Sequence, residues 1–219
     1  MMIDYRIYLV TDDPSRYVGD WLDRVIAAVD GGCTCVQYRD TESPPRTLYE
    51  RVRRLQDALQ PRHTPLVINN DAELAAAVRA EGVHVGQGDL PPSAVRAIVG
   101  GRCEIGYSIT DIRQLETRRA EIAAADCLGI GPIFDARKTK ADAAAAMGVA
   151  GLSAVLDSPA LAARPSLHTV AIGGITLENA SAVLESGVDA LAIVSAFSKA
   201  ENPYAVAADF KMLFDHRRQ

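Results

Sequence analysis

Short apolar runs recur along the chain, each closed by a polar or glycine-containing cluster and followed by a stretch with helical spacing. The runs fall at residues 6–11, 33–39, 65–69, 83–85, 103–108, 126–130, 168–173 and 190–194. Such runs, bounded by turn signals, predict strands of a parallel sheet buried on both faces. Between them, 21–29 has apolar residues at helical spacing and stops at Gly31-Gly32. Pro44-Pro45 opens a helix through about residue 60, and Pro91-Pro92 begins another. Asp71 is placed to cap a helix over 72–80, 111–124 reads as a polar helix, and Asn202-Pro203 starts a closing helix to about 214. Strand–helix units repeated eight times predict a single (β/α)8 barrel of parallel strands over residues 1–219. An open doubly wound sheet is the rival, but such regular repetition in one short domain favours closure.

Composition narrows the class. Hydrophobic residues make up 48% of the 219, enough for a substantial core, and they are mostly aliphatic, with Trp21 the only tryptophan. The net charge of −5 argues against a nucleic-acid partner. Cys33-Thr34-Cys35 lacks CxxC spacing and has no His or second Cys cluster nearby, so Cys33, Cys35, Cys103 and Cys127 are expected to be buried free thiols. No charged leader precedes an apolar stretch, and no run reaches membrane-spanning length. A reduced, cytoplasmic enzyme acting on small molecules is expected, with homo-oligomerisation left open.

In a barrel, chemistry gathers at the carboxyl ends of the strands. Gly173-Gly174 and Val194-Ser195 end the last two strands, where backbone N–H groups and helix starts commonly hold phosphate. Gln37 and Arg39 share one face of the second strand, and Arg39 can grip phosphate oxygens bidentately. Asn69, Asn70, Asp71 and Asp89 supply hard oxygens at two adjacent strand ends, a donor set suited to Mg²⁺ that shares a phosphate. Asp71 as an N-cap and Asp89 as a turn residue are the alternatives. Lys138, Thr139 and Lys140 lie on a long loop, 135–147, whose alanine run is read as part of an active-site lid rather than a helix. His84 is read as a structural strand residue, and no catalytic triad or Schiff-base lysine is evident. Two anion-gripping regions around one mouth suit departure of pyrophosphate while a second phosphorylated substrate is held nearby.

These residues carry a family resemblance across almost the whole chain. Tyr8-Leu9-Val10-Thr11-Asp12, Val36-Gln37-Tyr38-Arg39, Ile68-Asn69-Asn70-Asp71, Gly82-Val83-His84-Val85-Gly86-Gln87-Gly88-Asp89, Gly129-Ile130-Gly131-Pro132-Ile133-Phe134, Thr139-Lys140 and Ala171-Ile172-Gly173-Gly174-Ile175 stand in the order found in the thiamine-phosphate synthase family, which the chain resembles. The resemblance implies a (β/α)8 transferase joining hydroxymethylpyrimidine diphosphate to thiazole phosphate with loss of pyrophosphate. It implies that Gln37, Arg39, Asn69 and Ser108 contact the pyrimidine diphosphate, with Lys140 on its departing phosphates. It implies Mg²⁺ on Asp89, with Asn70 in the place of a second ligand, and a thiazole-phosphate site at Thr139, Gly174, Val194 and Ser195.

Three departures stand out. Thr41 replaces a lysine usual two positions after the strand-two arginine, and Asn70 replaces an aspartate. The strand-six loop is about one residue longer than usual, leaving open the register of Arg137 and Lys138. A thiazole tautomerase relative shares the barrel but has histidine where Thr110 stands here, and a non-catalytic phosphate-ligand sensor is the other rival.

Overall fold

The computed structural model describes residues 2–136 and 143–217. Eight strands close into an all-parallel barrel in sequence order: β1 (Ile7–Val10), β2 (Cys35–Tyr38), β3 (Leu66–Asn69), β4 (Gly82–Val85), β5 (Glu104–Ile109), β6 (Cys127–Ile130), β7 (His168–Ile172) and β8 (Ala190–Ile193), with β8 pairing back onto β1. Closure leaves no sheet edge exposed. The open-sheet alternative is thereby excluded.

Helices follow each strand: α1 (Trp21–Gly31), α2 (Pro45–Leu59), α3 (Ala72–Val78), α4 (Pro92–Val99), α5 (Gln114–Thr117), α6 (Arg119–Ala123), α7 (Gly148–Leu156), α8 (Pro159–Ala162), α9 (Leu177–Glu185), α10 (Ser195–Ser198) and α11 (Pro203–His216). The start signals act as the sequence requires. Asp20 accepts the N–H groups of Leu22 and Asp23, Asp71 that of Leu74, and Asn202 that of Ala205, while prolines occupy the first turn of α2, α4 and α11. The polar helix expected over 111–124 is instead two short helices, because Arg118 leaves the helical region at φ −119°, ψ 29°. Residues 143–147 are not helical, and α7 and α8 occupy a stretch to which the sequence reading assigned no element.

Period-two alternation along each strand splits the core into two. Leu9, Val36, Ile68, Val83, Ile105, Leu128 and Leu191 point outward and pack with the helices. Tyr8, Val10, Cys35, Val67, Cys127, Val170, Ala190 and Ala192 form a separate cluster that fills the barrel interior. All four cysteines are buried free thiols, as expected. No helix among the described residues is long and apolar enough to cross a membrane.

Candidate active site

The alternation that fills the interior with apolar side chains turns polar at its carboxyl end. Because Val36 and Tyr38, Ile68, Val83 and Val85, Tyr107 and Ile109, and Ile193 face the helices, the intervening Gln37, Asn69, His84, Ser108 and Val194 face inward. Register places these strand ends beside one another: Val10 pairs with Gln37, Asn69 with His84, and Ser108 with Gly129. Four residues assigned from sequence therefore line one end of the interior, and His84, read as structural, stands among them.

The two strand-two positions, Gln37 and Arg39, have fixed supports. The buried Gln37 donates from Nε2 to the Tyr8 hydroxyl at 2.8 Å, and Tyr8 is 1% exposed. The backbone of Arg39 is clamped by Thr11, whose Oγ1 accepts the Arg39 N–H at 2.8 Å and donates to the Arg39 carbonyl at 3.1 Å. Arg39 is half-buried, and no ion pair between it and a carboxylate occurs among the described residues. The neighbouring Asp40 is occupied: its carboxylate, 2% exposed, meets Arg51 at 2.7 Å and the Tyr38 hydroxyl at 3.0 Å. Burial pushes the Asp40 carboxyl up, but the N–H groups of Ser43 and Glu42 outweigh that and hold it below its ordinary value. Tyr8 and Thr11 were not singled out as site residues from sequence. Their spacing within an apolar strand gives no sign of which polar atom they reach.

Thr41, Asn69, Asn70 and Asp71 line a cavity of about 430 Å³ between the ends of β2 and β3, together with Asp40 and Leu90. Neither Arg39, Asp89, Ser108 nor the glycine pair lines it, although Tyr38, Asp40 and Leu90 border two of them in sequence. Two positions that depart from the resembled pattern, Thr41 and Asn70, thus share one cavity.

The oxygen donors fit Mg²⁺ in kind. Asp71 uses Oδ1 to cap α3, and Asp89 uses Oδ2 to accept the Gly86 N–H at 2.7 Å, so both anticipated structural roles are real. Their second carboxylate oxygens carry no hydrogen bond among the described residues. No group of three or more His, Cys, Asp or Glu side chains that could hold a metal occurs among those residues. Such a donor set leaves most of the coordination shell to water and substrate phosphate, as Mg²⁺ favours.

On the opposite rim, Gly173 (φ +104°) and Gly174 (φ +64°) lead from β7 toward α9, and Asn179 donates to the Gly174 carbonyl at 2.9 Å. The sequence reading gave these glycines to anion approach. The structure adds a second demand: the strand-six loop lies against them, so a Cβ on Gly173 would sit 2.5 Å from Pro132 Cβ and one on Gly174 2.7 Å from Phe134 Cβ. Ser195 opens α10 directly after β8, and Ser198 at the far end donates to the buried Asp12 at 3.1 Å, tying the β1 and β8 loops together. Lys138, Thr139 and Lys140 lie outside the described residues.

His84 Nε2 lies 2.8 Å from Ser108 Oγ. Burial pushes its pKa down to about 4, so the imidazole is neutral at physiological pH.

A closed (β/α)8 barrel with neutral hydrogen-bonding groups on its inner rim, and with hard oxygens and two positive-φ glycines at its carboxyl end, has the candidate site of a barrel enzyme. A family model described as thiamine monophosphate synthase matches residues 7–197. Thiamine-phosphate synthases from Laribacter hongkongensis and Azorhizobium caulinodans are 42% and 39% identical, covering 98% and 99% of this chain and 98% of each relative. A solved thiamine phosphate pyrophosphorylase from Pyrococcus furiosus superposes with a TM-score of 0.83 at 26% identity, covering 98% of this chain and 97% of the other. The chain belongs to the thiamine monophosphate synthase family, and it is an enzyme of the transferase type.

Proposed function

We propose that the protein is a thiamine-phosphate synthase that condenses hydroxymethylpyrimidine diphosphate with thiazole phosphate and releases pyrophosphate. The observation that carries this reading is the inward ring of Gln37, Asn69 and Ser108, with Arg39 continuing the β2 face beyond it. Gln37, Asn69 and Ser108 would hold the flat pyrimidine by neutral hydrogen bonds, and Arg39 its diphosphate by charge-assisted ones. Gly174, Val194, Ser195 and Thr139 would hold the thiazole phosphate on the opposite rim.

In this reading the bond between the pyrimidine methylene carbon and the bridging oxygen breaks first, and its electron pair leaves with pyrophosphate. The thiazole nitrogen then donates its lone pair to the resulting carbocation, forming the C–N bond. Arg39, Lys138 and Lys140 would oppose the charge growing on the leaving oxygens, the kind of electrostatic effect that contributes most to such reactions. Bound at Asp89, with Asn70 or Asp71 beside it, Mg²⁺ would add positive charge at the diphosphate. No strong general base is required, in keeping with an imidazole whose pKa burial pushes down to about 4. Thr110, where a tautomerase histidine would stand, is tied to Gln114, its N–H donating to Oε1 at 2.8 Å.

Mixing both substrates with and without Mg²⁺ tests the proposal. Thiamine phosphate and pyrophosphate should form in equal amounts, and only with the metal. Binding of thiazole phosphate or thiamine phosphate without any condensation at saturating Mg²⁺ would assign the protein to the sensor class instead.

A further inference from the structure

The contact between His84 and Ser108 is built from both sides. His84 is on β4 and Ser108 on β5, both inward, and the Nε2–Oγ separation of 2.8 Å is a good hydrogen bond. The imidazole reaches across only because two glycines stand where side chains would be. A Cβ on Gly106 would lie 2.2 Å from His84 Nδ1, and one on Gly129 would lie 2.9 Å from Cε1 and 3.1 Å from Nε2. Neither glycine has a positive φ, so neither is demanded by backbone conformation. The space they leave is filled by the ring. The other end of the Ser108 unit is fixed as well, since Gln87 Nε2 donates to its carbonyl at 2.6 Å. A hydroxyl rotor at the mouth of a barrel would otherwise sample several directions.

We propose that His84, seated in a slot formed by Gly106 and Gly129, is a positioning residue that orients the Ser108 hydroxyl for the pyrimidine diphosphate. Under this assignment His84 acts through Ser108 and makes no independent contribution to the reaction. It rests on the proposed synthase activity, which places the pyrimidine at Ser108. It predicts that the slot glycines matter for activity although they touch no substrate.

The test is a double-mutant cycle read in the condensation assay. His84→Ala and Ser108→Ala should each lower kcat/KM for the pyrimidine diphosphate roughly tenfold, the loss of one oriented hydrogen bond. The KM for thiazole phosphate should stay within about twofold, and the double variant should be no worse than Ser108→Ala alone. A double variant whose loss is the product of the two, roughly a hundredfold, overturns the proposal.

Should His84→Ala fold poorly, Gly106→Ala carries the same test, since it removes no polar group and acts only by displacing the ring. It should cost roughly tenfold in the wild-type background and nothing further beside Ser108→Ala.

The slot has a readout without substrate. Gly106→Ala should lower Tm by roughly 2–10 °C when His84 is present and by almost nothing in the His84→Ala background. Equal destabilisation in both backgrounds overturns the slot. A wild-type enzyme that makes no thiamine phosphate would instead sink the activity, leaving this melting comparison to decide the slot.

Discussion

Asn70 donates its backbone N–H to the carbonyl of His84 at 2.8 Å, one step beyond the last paired residues of β3 and β4. To make that bond and let Asp71 cap α3, Asn70 adopts a left-handed φ of +63°. Asn tolerates this region; a β-branched residue does not. Asn70→Val should therefore destabilise the fold by about 1–3 kcal/mol, while Asn70→Gly should fall within about 0.5 kcal/mol of wild type. Thermal or urea unfolding of the pair decides it, and equal stability of the two variants would refute the strain.

The same position bears on the metal. Asn70 lines the cavity with Thr41, so the chain has a neutral amide and a neutral hydroxyl where the resembled pattern has a carboxylate and a lysine. Asn70→Asp adds a charge near the proposed Mg²⁺ and should lower the Mg²⁺ concentration for half-maximal activity roughly three- to tenfold. A Mg²⁺ titration of initial rates that shows no shift would remove Asn70 from the metal's surroundings.

Acid should loosen the β2 loop first at Asp40. Its carboxyl is held below the ordinary value, so it contributes stability that is present above about pH 4, the unfolded value, and is lost as pH falls through the folded one. Asp40→Asn keeps the shape, leaves Arg51 without its carboxylate and removes that titration. Its deficit relative to wild type should be about 1–3 kcal/mol at pH 7 and should shrink below pH 4. Parallel denaturant curves at pH 7 and pH 3 measure it; a deficit independent of pH would assign it to packing.

Burial also governs the thiols. Cys33, Cys35 and Cys127 are 5% exposed or less, and burial raises all four thiols, Cys103 to about 11. A thiolate is the reactive form, so the folded protein should leave an aromatic disulfide reagent unreacted at pH 8 over minutes. All four thiols should appear once the protein is denatured. One fast-reacting thiol in the native state would contradict this burial.

The barrel was legible because both of its periodicities are strong. Short apolar runs such as Ile7–Val10, bounded by turn residues, have the length and pattern of strands buried on both faces, and Asp20, Asp71 and Asn202 mark helix starts chemically. Asn69 and Ser108 stood out in the sequence because they end such runs, and Gln37 because it shares a strand face with Arg39. What stayed hidden depends on partners far apart in sequence. Tyr8 meets Gln37 and Thr11 clamps Arg39 only after β1 and β2 pair. His84 looked structural because alternation says which way a side chain points, not what waits there. The break at Arg118 has no sequence signal stronger than the polar pattern around it.

Glycine separates conformational need from contact in a way that a matched pair can test. Gly174 has φ +64°, and its missing Cβ makes room for Phe134, with the Asp135 carbonyl only 3.1 Å away. Gly88, in the β4 loop, has nothing within 4 Å of where its Cβ would be and no positive φ. Gly88→Ala should thus leave stability unchanged or raise it by about 0.4–1 kcal/mol by restricting the unfolded chain. Gly174→Ala must both strain the backbone and push back the strand-six loop, and should cost about 2–4 kcal/mol. Because Gly174 belongs to the proposed thiazole-phosphate site, Gly174→Ala should also raise the KM for thiazole phosphate more than that for the pyrimidine diphosphate. Unfolding curves and paired substrate titrations on the two variants check both halves. If Gly174→Ala is as benign as Gly88→Ala, the packing of Phe134 on the glycine does not set the geometry of the proposed phosphate site.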